Sequence, residues 1–240
     1  MLIKSQVKYI QSLGQKKFRD QEGVFVVEGP KMVKELLAAS NLELLYLVGV
    51  AAFREAGIPF IEVKESELER LSSLSTPNQV LAVFRKPVFP VSDPGGSVSL
   101  VLDGIQDPGN LGTIVRIADW FGIRQVVCSR DSADVFSPKA TQSTMGSISR
   151  VEVVYEDPVL LMDRHSDLPV YAAVLDGKSI YQQPRISSGW VVIGNESKGV
   201  RAELLQRATH PITIPRIGQA ESLNAAVATG IILSHLAGGS

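Results

Sequence analysis

Three polar loops hold the side chains of this sequence that could do chemistry, and each follows an apolar run typical of a buried strand. The first loop ends in Asn110 and leads into a helical pattern that carries Arg116. The second holds Glu196 between two glycines, and the third holds Ser222 and Asn224. Amides, a hydroxyl, a carboxylate and a guanidinium can together orient a substrate. Because ligands bind at the carboxyl ends of strands in an open parallel sheet, these loops form the candidate site.

Each of these side chains also has a purely structural explanation. Asn110 and Ser222 are residue types that cap the N-termini of helices. Arg116 lies off the apolar stripe of its helix and could form a surface pair with Asp119, worth about a few tenths of a kcal/mol. Glu196 could be a carboxylate that a helix dipole favours. Spacing alone favours the surface pair over a functional Arg116.

Several common chemistries lack the residues that they need. The one cysteine, Cys128, lies in an apolar run that predicts a buried strand, which argues against a cysteine nucleophile. His165, His210 and His235 are far apart in sequence, so no Cys/His zinc spacing exists and no metal is predicted. Neither G-x-x-x-x-G-K-[ST] nor G-x-G-x-x-G is present, which disfavours a P-loop nucleotidase and a dinucleotide enzyme.

The composition is that of an ordinary globular protein. The 240 residues are 45% hydrophobic and 20% charged, with 24 Lys+Arg against 25 Asp+Glu. No stretch approaches the roughly 18 apolar residues of a membrane span, and residues 1–8 hold no apolar signal core, so a cytoplasmic protein without a membrane partner is expected. Prolines and glycines concentrate in 87–96, which predicts a linker between a domain at 1–86 and another at 97–240.

Apolar runs alternate with helical patterns on both sides of this linker, which predicts α/β architecture throughout. Several runs after the linker are continuously apolar, as expected of strands covered on both faces in a mostly parallel sheet. The strands predicted there are 98–102, 125–128, 151–155, 170–175, 190–193 and 212–214. The helices predicted between and after them are 111–121, 138–145, 159–165, 202–208 and 223–236.

A short basic arm begins the chain, since residues 1–19 contain no acid. Its charged members are Lys4, Lys8, Lys16, Lys17 and Arg19. On a protein with a net charge of −1 such a cluster can attract the phosphates of a nucleic acid. A solvated helix face is the alternative explanation.

Taken in order, the three loops resemble the three motifs of the SpoU (TrmH-like) family of RNA ribose 2′-O-methyltransferases, within the SPOUT superfamily. Residues 107–116, DPGNLGTIVR, resemble the first motif with its N-x-G-x-x-x-R core. Residues 194–199, GNESKG, resemble the second, and 214–224 the third. Around 25–29 and 79–83 the first domain is similar to the family's ribosomal-protein-L30e-like substrate-binding domain. Two residues depart from the pattern: Val80 stands where relatives often have Gly, and Arg216 where they often have Met.

This resemblance implies a small L30e-like α/β domain, a mostly parallel second domain tied as a trefoil knot, and a homodimer whose paired sites share residues. It implies S-adenosylmethionine as cofactor and a ribosomal or transfer RNA as substrate. Carried over by position, the catalytic residues are Asn110, Arg116, Glu196, Ser222 and Asn224. The implied cofactor-binding residues are Leu175, Gly177, Ile193, Gly194, Glu196, Gly199, Ile214, Ser222, Leu223 and Asn224.

The residue types agree with this chemistry, because a ribose hydroxyl is a poor nucleophile that needs alignment and help in losing its proton. Arg116 could hold the adjacent phosphate or act as the base, and positioning is preferred because arginine keeps its proton at neutral pH. Asn110 and Glu196 would orient Arg116 and the loop, while Ser222 and Asn224 would shape the cofactor pocket or bridge to the nucleotide.

Two other classes of function compete with this interpretation. A non-catalytic RNA-binding module accounts for the basic arm and the first domain but leaves three glycine-rich loops without a task. A small-molecule oxidoreductase on an α/β sheet lacks its dinucleotide fingerprint.

Overall fold

The computed structural model describes residues 2–91 and 95–237, and these fall into two compact units. The first unit contains the chain up to Val88 together with Asp134–Ser149. The second contains Phe89–Ala133 and the chain from Arg150 onward. Residues 134–149 therefore pack with the first unit, whereas the sequence placed all of 97–240 in one domain. Residues 92–94 of the predicted linker and the last three of the chain lie outside the described residues.

The helices and strands alternate along the chain as the apolar patterns predicted. In the first part of the chain they are α1 (Lys4–Ser12), α2 (Lys16–Glu22), β1 (Val24–Glu28), α3 (Pro30–Leu37), β2 (Leu44–Gly49), β3 (Ile61–Glu62), α4 (Glu65–Leu71) and β4 (Val80–Arg85). After the linker they are β5 (Val98–Asp103), α5 (Pro108–Trp120), β6 (Gln125–Cys128), α6 (Pro138–Thr144), β7 (Glu152–Tyr155), α7 (Pro158–Arg164), β8 (Val170–Ser179), β9 (Gly189–Gly194), α8 (Ala202–Leu205), β10 (His210–Thr213) and α9 (Ala225–Leu236).

The first unit is built on a four-stranded sheet in the order β1-β4-β2-β3. β4 pairs antiparallel with β1 and with β2, and β2 pairs parallel with β3. All of β1 is buried, because the segment that contains α6 belongs to the same unit and packs on this strand. The Phe136 ring lies 5.0 Å from the Phe25 ring, centroid to centroid. This apolar contact explains why residues 134–149 join the first unit.

The basic N-terminal residues lie on α1 and α2, and one of them is not on the surface. The four exposed members are Lys4, Lys8, Lys16 and Lys17. Arg19 is only 2% exposed; its guanidinium donates to the backbone carbonyls of Leu13 and Gly14 and to the Asp134 carboxylate at 2.6 Å. The prediction that Arg19 binds RNA is therefore wrong, because the side chain is buried and both terminal nitrogens of its guanidinium donate inside the first unit.

The loop before β4 contains a residue in the left-handed region of backbone conformation. That residue is Gln79, with φ of 57°, whereas Val80 is the first residue of a buried strand. Glycine adopts such a conformation without strain. The position in this loop that favours glycine is therefore Gln79 rather than Val80.

The predicted linker is partly packed. Phe89 and Val91 are half-buried against the core of the second unit, and the Gln125 side chain donates to the carbonyl of Pro90 at 3.3 Å. The apolar residues between the prolines thus have partners, which the proline and glycine content of 87–96 could not indicate.

The second unit is built on six parallel strands in the order β10-β8-β9-β5-β6-β7. β5 and β6 are buried along their whole length, which confirms the prediction of a parallel sheet covered on both faces. The sheet order brings the carboxyl ends of β10, β8, β9 and β5 side by side at one edge. The trefoil knot that the resemblance implies stays a prediction.

Cys128 is fully buried in β6, as its apolar surroundings predicted, and burial raises the pKa of its thiol well above the ordinary value. A thiol in that environment stays protonated and is a poor nucleophile. Within residues 2–91 and 95–237, no group of three or more His, Cys, Asp or Glu side chains is placed to hold a metal ion. In the same part of the chain, no helix has both the length and the hydropathy of a membrane span.

Candidate active site

Asp107, and not Asn110, caps the helix that follows the first loop. The Asp107 carboxylate accepts from the backbone N–H of Asn110 at 2.8 Å, and Pro108 takes the first helical position. Aspartate followed by proline is a favourable helix start. The structural explanation of Asn110 as the N-cap is therefore wrong, and its side-chain amide is available for contacts outside the helix.

The second loop is a tight hairpin rather than the start of a helix. The backbones of Asn195 and Gly199 exchange two hydrogen bonds of 3.0 and 2.9 Å, which leave Glu196 at the tip. The Asn195 side-chain oxygen accepts from the backbone N–H groups of Ser197 and Lys198, and its amide donates to the Gly104 carbonyl at 2.6 Å. A Cβ atom on Gly194 would collide with the backbone of Gly199, so only glycine fits there.

Asn224 caps α9, which corrects the expectation that Ser222 would do so. The Asn224 side-chain oxygen accepts from the backbone N–H groups of Ala226 at 2.9 Å and Val227 at 3.3 Å. Its amide nitrogen is thereby turned outward and donates to the side-chain oxygen of Asn110 at 2.8 Å. The third loop is in this way joined to the first.

A directed chain of hydrogen bonds then reaches the second loop. With its oxygen already accepting from Asn224, the Asn110 amide donates to one carboxylate oxygen of Glu196 at 2.9 Å. The other oxygen of Glu196 accepts from the backbone N–H of Gln106 at 3.4 Å. Both carboxylate oxygens of Glu196 therefore accept hydrogen bonds from the first loop and its helix. We call the side chains of Asn224, Asn110 and Glu196 the amide relay.

Arg116 does not belong to the amide relay within one chain. It is exposed on α5, and in the described residues its side chain makes neither a hydrogen bond nor an ion pair. The expected surface pair with Asp119 is also absent, because the Asp119 carboxylate accepts from Arg150 at 2.7 Å. The expectation that Asn110 and Glu196 orient Arg116 is thus not met inside the chain, since these two residues bind each other.

An open groove of about 590 Å³ lies between α5 and α9. Asn110 and Asn224 line it together with the apolar side chains of Ile117, Val227 and Ile231. Val227 is 51% exposed although it belongs to an almost wholly apolar helix. An apolar surface of this kind beside polar site residues is typical of a binding or association face.

Sequence reasoning missed an ion pair that fixes the base of the hairpin. Asp103, at the end of β5, is 3% exposed and accepts from the backbone N–H of Arg201 at 2.7 Å and from its Nε at 2.5 Å. The same guanidinium lies 3.2 Å from the Asp131 carboxylate. The hydrogen bond to Asp103 raises the pKa of Arg201. A buried carboxylate at a strand end was the available signal, because it needs a partner.

Comparison with known proteins identifies the family. Residues 97–234 match the model of the SpoU rRNA methylase family, and residues 4–82 match that of an MRM3-like substrate-binding domain. The 23S rRNA (guanosine(2553)-2′-O)-methyltransferase of Bacillus subtilis is 34% identical, over 97% of this chain and 96% of its own length. The chain belongs to the SpoU rRNA methylase family.

Solved structures of the family agree along almost the whole chain. An RNA methyltransferase of the TrmH family from Porphyromonas gingivalis is 41% identical with a TM-score of 0.89, and the match covers 98% of each chain. An AdoMet-bound rRNA methyltransferase from Sinorhizobium meliloti is 32% identical with a TM-score of 0.86, over 98% of this chain and 95% of that one. This SpoU-family protein is an RNA 2′-O-methyltransferase, and its cofactor is S-adenosylmethionine.

The cofactor positions of the SpoU pattern fall on neighbouring strand ends. Leu175 and Gly177 lie on β8, Gly194 ends β9, and Ile214 directly follows β10. Gly177 has to be small, because a Cβ atom there would lie 2.6 Å from the backbone of Ile212. These positions come together at the edge of the sheet that also carries the amide relay.

The implied cofactor-binding residues differ in how far their side chains are exposed. Leu175 is 71% exposed and Leu223 is 48% exposed, so both leave aliphatic surface uncovered. Ile193 is only 3% exposed, and its side chain is therefore not accessible to a ligand. Apolar walls beside backbone donors and acceptors are what a planar, partly apolar ligand requires.

Two residues of the third SpoU motif differ from expectation. Ser222 is exposed and makes no hydrogen bond among the described residues, so the structure does not join it to the amide relay. Arg216 donates to the Ala220 carbonyl at 3.2 Å and thereby braces the loop between β10 and α9. The arginine thus has a local contact that a methionine could not make.

Proposed function

We propose that this SpoU-family enzyme methylates a ribose 2′-hydroxyl of ribosomal RNA, and that the amide relay and Arg116 carry the reaction. The amide relay is the main support, because it fixes the three motif loops against one another at the edge of the sheet that holds the cofactor positions. The match to a 23S rRNA methyltransferase spans both units, so the first unit of the two proteins also corresponds. A transfer RNA is the alternative substrate.

S-adenosylmethionine supplies an electrophilic methyl group when it is bound. Leu175 and Leu223 would hold it with apolar surface, together with the backbone around Gly177, Gly194 and Gly199. Arg116 would bind the phosphate next to the reacting ribose and align the hydroxyl, since a guanidinium binds phosphate through paired donors and keeps its own proton. The hydroxyl oxygen would take the methyl group as the bond from sulfur to that methyl breaks, and the hydroxyl proton would leave to water. Glu196, held by its two donors, would keep the second loop closed on the first, and Ser222 would face the nucleotide.

The choice between RNA classes is tested by mapping 2′-O-methyl groups in total RNA from cells with and without the gene. A site in ribosomal RNA that disappears with the gene supports the proposal. A site that disappears from transfer RNA alone would refute the rRNA assignment while leaving the chemistry intact.

We also propose that the protein works in the cytoplasm. An RNA substrate is consistent with that compartment, and so is the thiol of Cys128, which is buried and forms no disulfide.

We also propose that the enzyme is a homodimer joined through the groove between α5 and α9. The groove presents Ile117, Val227 and Ile231, and Trp120 is 85% exposed one turn further along α5 from Ile117. Two copies related by a twofold axis would cover this surface with itself. Arg116, which is exposed on the same helix and unpaired within the described chain, would then reach the site of the other copy.

Val227→Lys is expected to convert the dimer to a monomer, because it places a charge on an apolar face that is buried only in the dimer. Light scattering at micromolar concentration should give about 52 kDa for the wild type, twice the chain mass of 25.9 kDa. Leu160→Lys is the matched control, since Leu160 is 57% exposed on α7, outside the groove. A wild type that scatters as a monomer would end the dimer proposal.

We propose that the exposed lysines of α1 and α2 bind the phosphates of the RNA backbone. Lys16 and Lys17 occupy the first turn of α2, where the helix dipole disfavours cations, and the first turn of that helix has no acid. A phosphate ligand would offset this local excess of positive charge. The remaining members, Lys4 and Lys8, are one helical turn apart on α1.

Replacing Lys4, Lys8, Lys16 and Lys17 with Gln is expected to weaken RNA binding and to flatten its salt dependence. Each lost phosphate contact should reduce the slope of log K against log[salt] by about 0.7–0.9. Cofactor affinity should not change. Arg54→Gln is the control, because Arg54 is exposed in the same unit but paired with Glu62 at 2.9 Å. An unchanged salt-dependence slope in the variant with all four substitutions would show that RNA binds elsewhere.

A further inference from the structure

We propose that Arg201 is a positioning residue for methyl transfer, and that it acts by holding the Glu196 hairpin against the end of β5. This inference rests on the proposed function. Arg201 lies two residues after Gly199, where the hairpin closes, and outside the three motifs. Different contacts fix the two ends of the hairpin.

The first end of the hairpin is fixed by the sheet. Gly194 is the last residue of β9 and pairs with Asp103 of β5. The Asn195 side chain continues this attachment by donating to the Gly104 carbonyl at 2.6 Å. Up to Asn195, then, the chain cannot move without breaking strand pairing.

The other end, at Gly199, pairs with Asn195 and, in the described part of the chain, with no strand of the sheet. Arg201 supplies its direct attachment to β5. Its backbone N–H and its Nε donate to the two oxygens of the Asp103 carboxylate at 2.7 and 2.5 Å. This carboxylate is buried, so the ion pair is little screened by solvent. Both ends of the hairpin are thus attached to Asp103 or to the adjacent Gly104, and Glu196 lies at the tip.

A second aspartate orients the guanidinium from the other side. The Arg201 Nη2 donates to Asp131 at 3.2 Å, and the Asp131 backbone carbonyl accepts from the Gln106 side chain at 2.6 Å. Gln106 is the residue whose backbone N–H donates to Glu196. The Arg201 guanidinium therefore bridges the base of the hairpin and the loop that receives its tip.

Arg201→Gln is the test, because glutamine is shorter and uncharged. It removes the ion pair with Asp103 and keeps a polar side chain. The single-turnover rate at saturating RNA and cofactor should fall by about ten- to a hundredfold, with RNA affinity unchanged. Arg201→Lys keeps the charge but not the fork and should recover only part of the rate. Arg207→Gln is the matched control: Arg207 makes a similar two-nitrogen pair with Asp163 on α7, and its rate should stay at the wild-type value.

A double-mutant cycle with Glu196→Gln separates positioning from a general loss of stability. If Arg201 acts through Glu196, Arg201→Gln should lower the rate of the Glu196→Gln enzyme by less than about twofold. The same factor in both backgrounds would overturn the proposal. Amide hydrogen exchange gives a readout without activity, and the Gly199 N–H should exchange faster in Arg201→Gln.

The outcomes also separate this inference from the proposed function. A wild-type chain that transfers no methyl group to ribosomal RNA contradicts the proposed function. Hydrogen exchange alone then decides whether Arg201 holds the hairpin. An unchanged exchange rate of the Gly199 N–H in Arg201→Gln refutes that role. An active wild type with additive effects in the cycle refutes the role of Arg201 and leaves the proposed function standing.

Discussion

Arg116→Ala is expected to lower the single-turnover rate of methyl transfer by about two orders of magnitude or more, while RNA and cofactor still bind. The physical reason is that alignment of the hydroxyl matters mainly in the transition state, whereas RNA affinity comes from many phosphate contacts. Arg116→Lys should recover little, because a single ammonium cannot reproduce the planar pair of donors. Arg124→Ala is the matched control, since Arg124 is exposed just beyond the same helix. If the single-turnover rate of Arg116→Ala stays within about threefold of the wild-type rate, Arg116 is a surface arginine without a role in methyl transfer.

Mixed dimers test whether Arg116 serves the other copy. An Arg116→Ala chain keeps its amide relay, and a Glu196→Gln chain keeps its Arg116. If the two act across the dimer, co-expressed chains that pair at random should recover about a quarter of the wild-type rate, because half of the dimers hold one complete site of two. Activity that does not rise above that of the separate variants would place Arg116 in the site of its own chain.

Replacing a hydrogen-bond donor or acceptor in the amide relay should have the second largest effect on the rate of methyl transfer. In Glu196→Gln the Asn110 amide faces a side chain that has lost one acceptor, and in Asn110→Asp two carboxylates face each other. Either change should open the second loop and lower the transfer rate by about ten- to a hundredfold. The double variant Asn110→Asp/Glu196→Gln restores a donor opposite an acceptor at this contact. It should therefore bind cofactor better than either single variant.

The double variant also separates positioning from charge. Recovery of both cofactor affinity and rate would show that the amide relay serves mainly to hold the loops. Recovery of affinity alone would show that the negative charge at Glu196 itself is needed for transfer. Cofactor affinity no better than in the single variants would contradict the hydrogen-bond directions inferred from the Asn224 cap.

Local patterns predicted the strands and the three loops because they depend on neighbouring residues. Continuous apolar runs marked the parallel strands, and turn residues marked the loops at their ends. The helix caps were less predictable, because Asp107 and Asn110, or Ser222 and Asn224, have similar capping propensities. At α5 the choice follows from which side chain is engaged elsewhere, whereas Asn224 caps α9 with its oxygen and also binds Asn110 through its amide. Asn110 is engaged with Glu196, which lies 86 residues away in sequence.

Long-range partners explain the remaining differences. Arg19 looked like a surface charge because its partner, Asp134, lies 115 residues away. The sequence did not indicate a role for Arg201, because its partner, Asp103, lies 98 residues away. Tertiary packing brings such distant segments together, and local sequence patterns do not show which segments meet. The resemblance to SpoU proteins supplied the roles of motif residues, but Arg201 lies outside the motifs.

The central claim is that this chain transfers a methyl group from S-adenosylmethionine to a ribose 2′-hydroxyl of ribosomal RNA. The most direct measurement incubates the purified wild-type protein with labelled cofactor and unmodified ribosomal RNA, digests the RNA to nucleosides and separates the products. The label should appear in one 2′-O-methylnucleoside, and Arg116→Ala should abolish most of it. Label on a base, or no label from a folded protein that binds the cofactor, would contradict the claim.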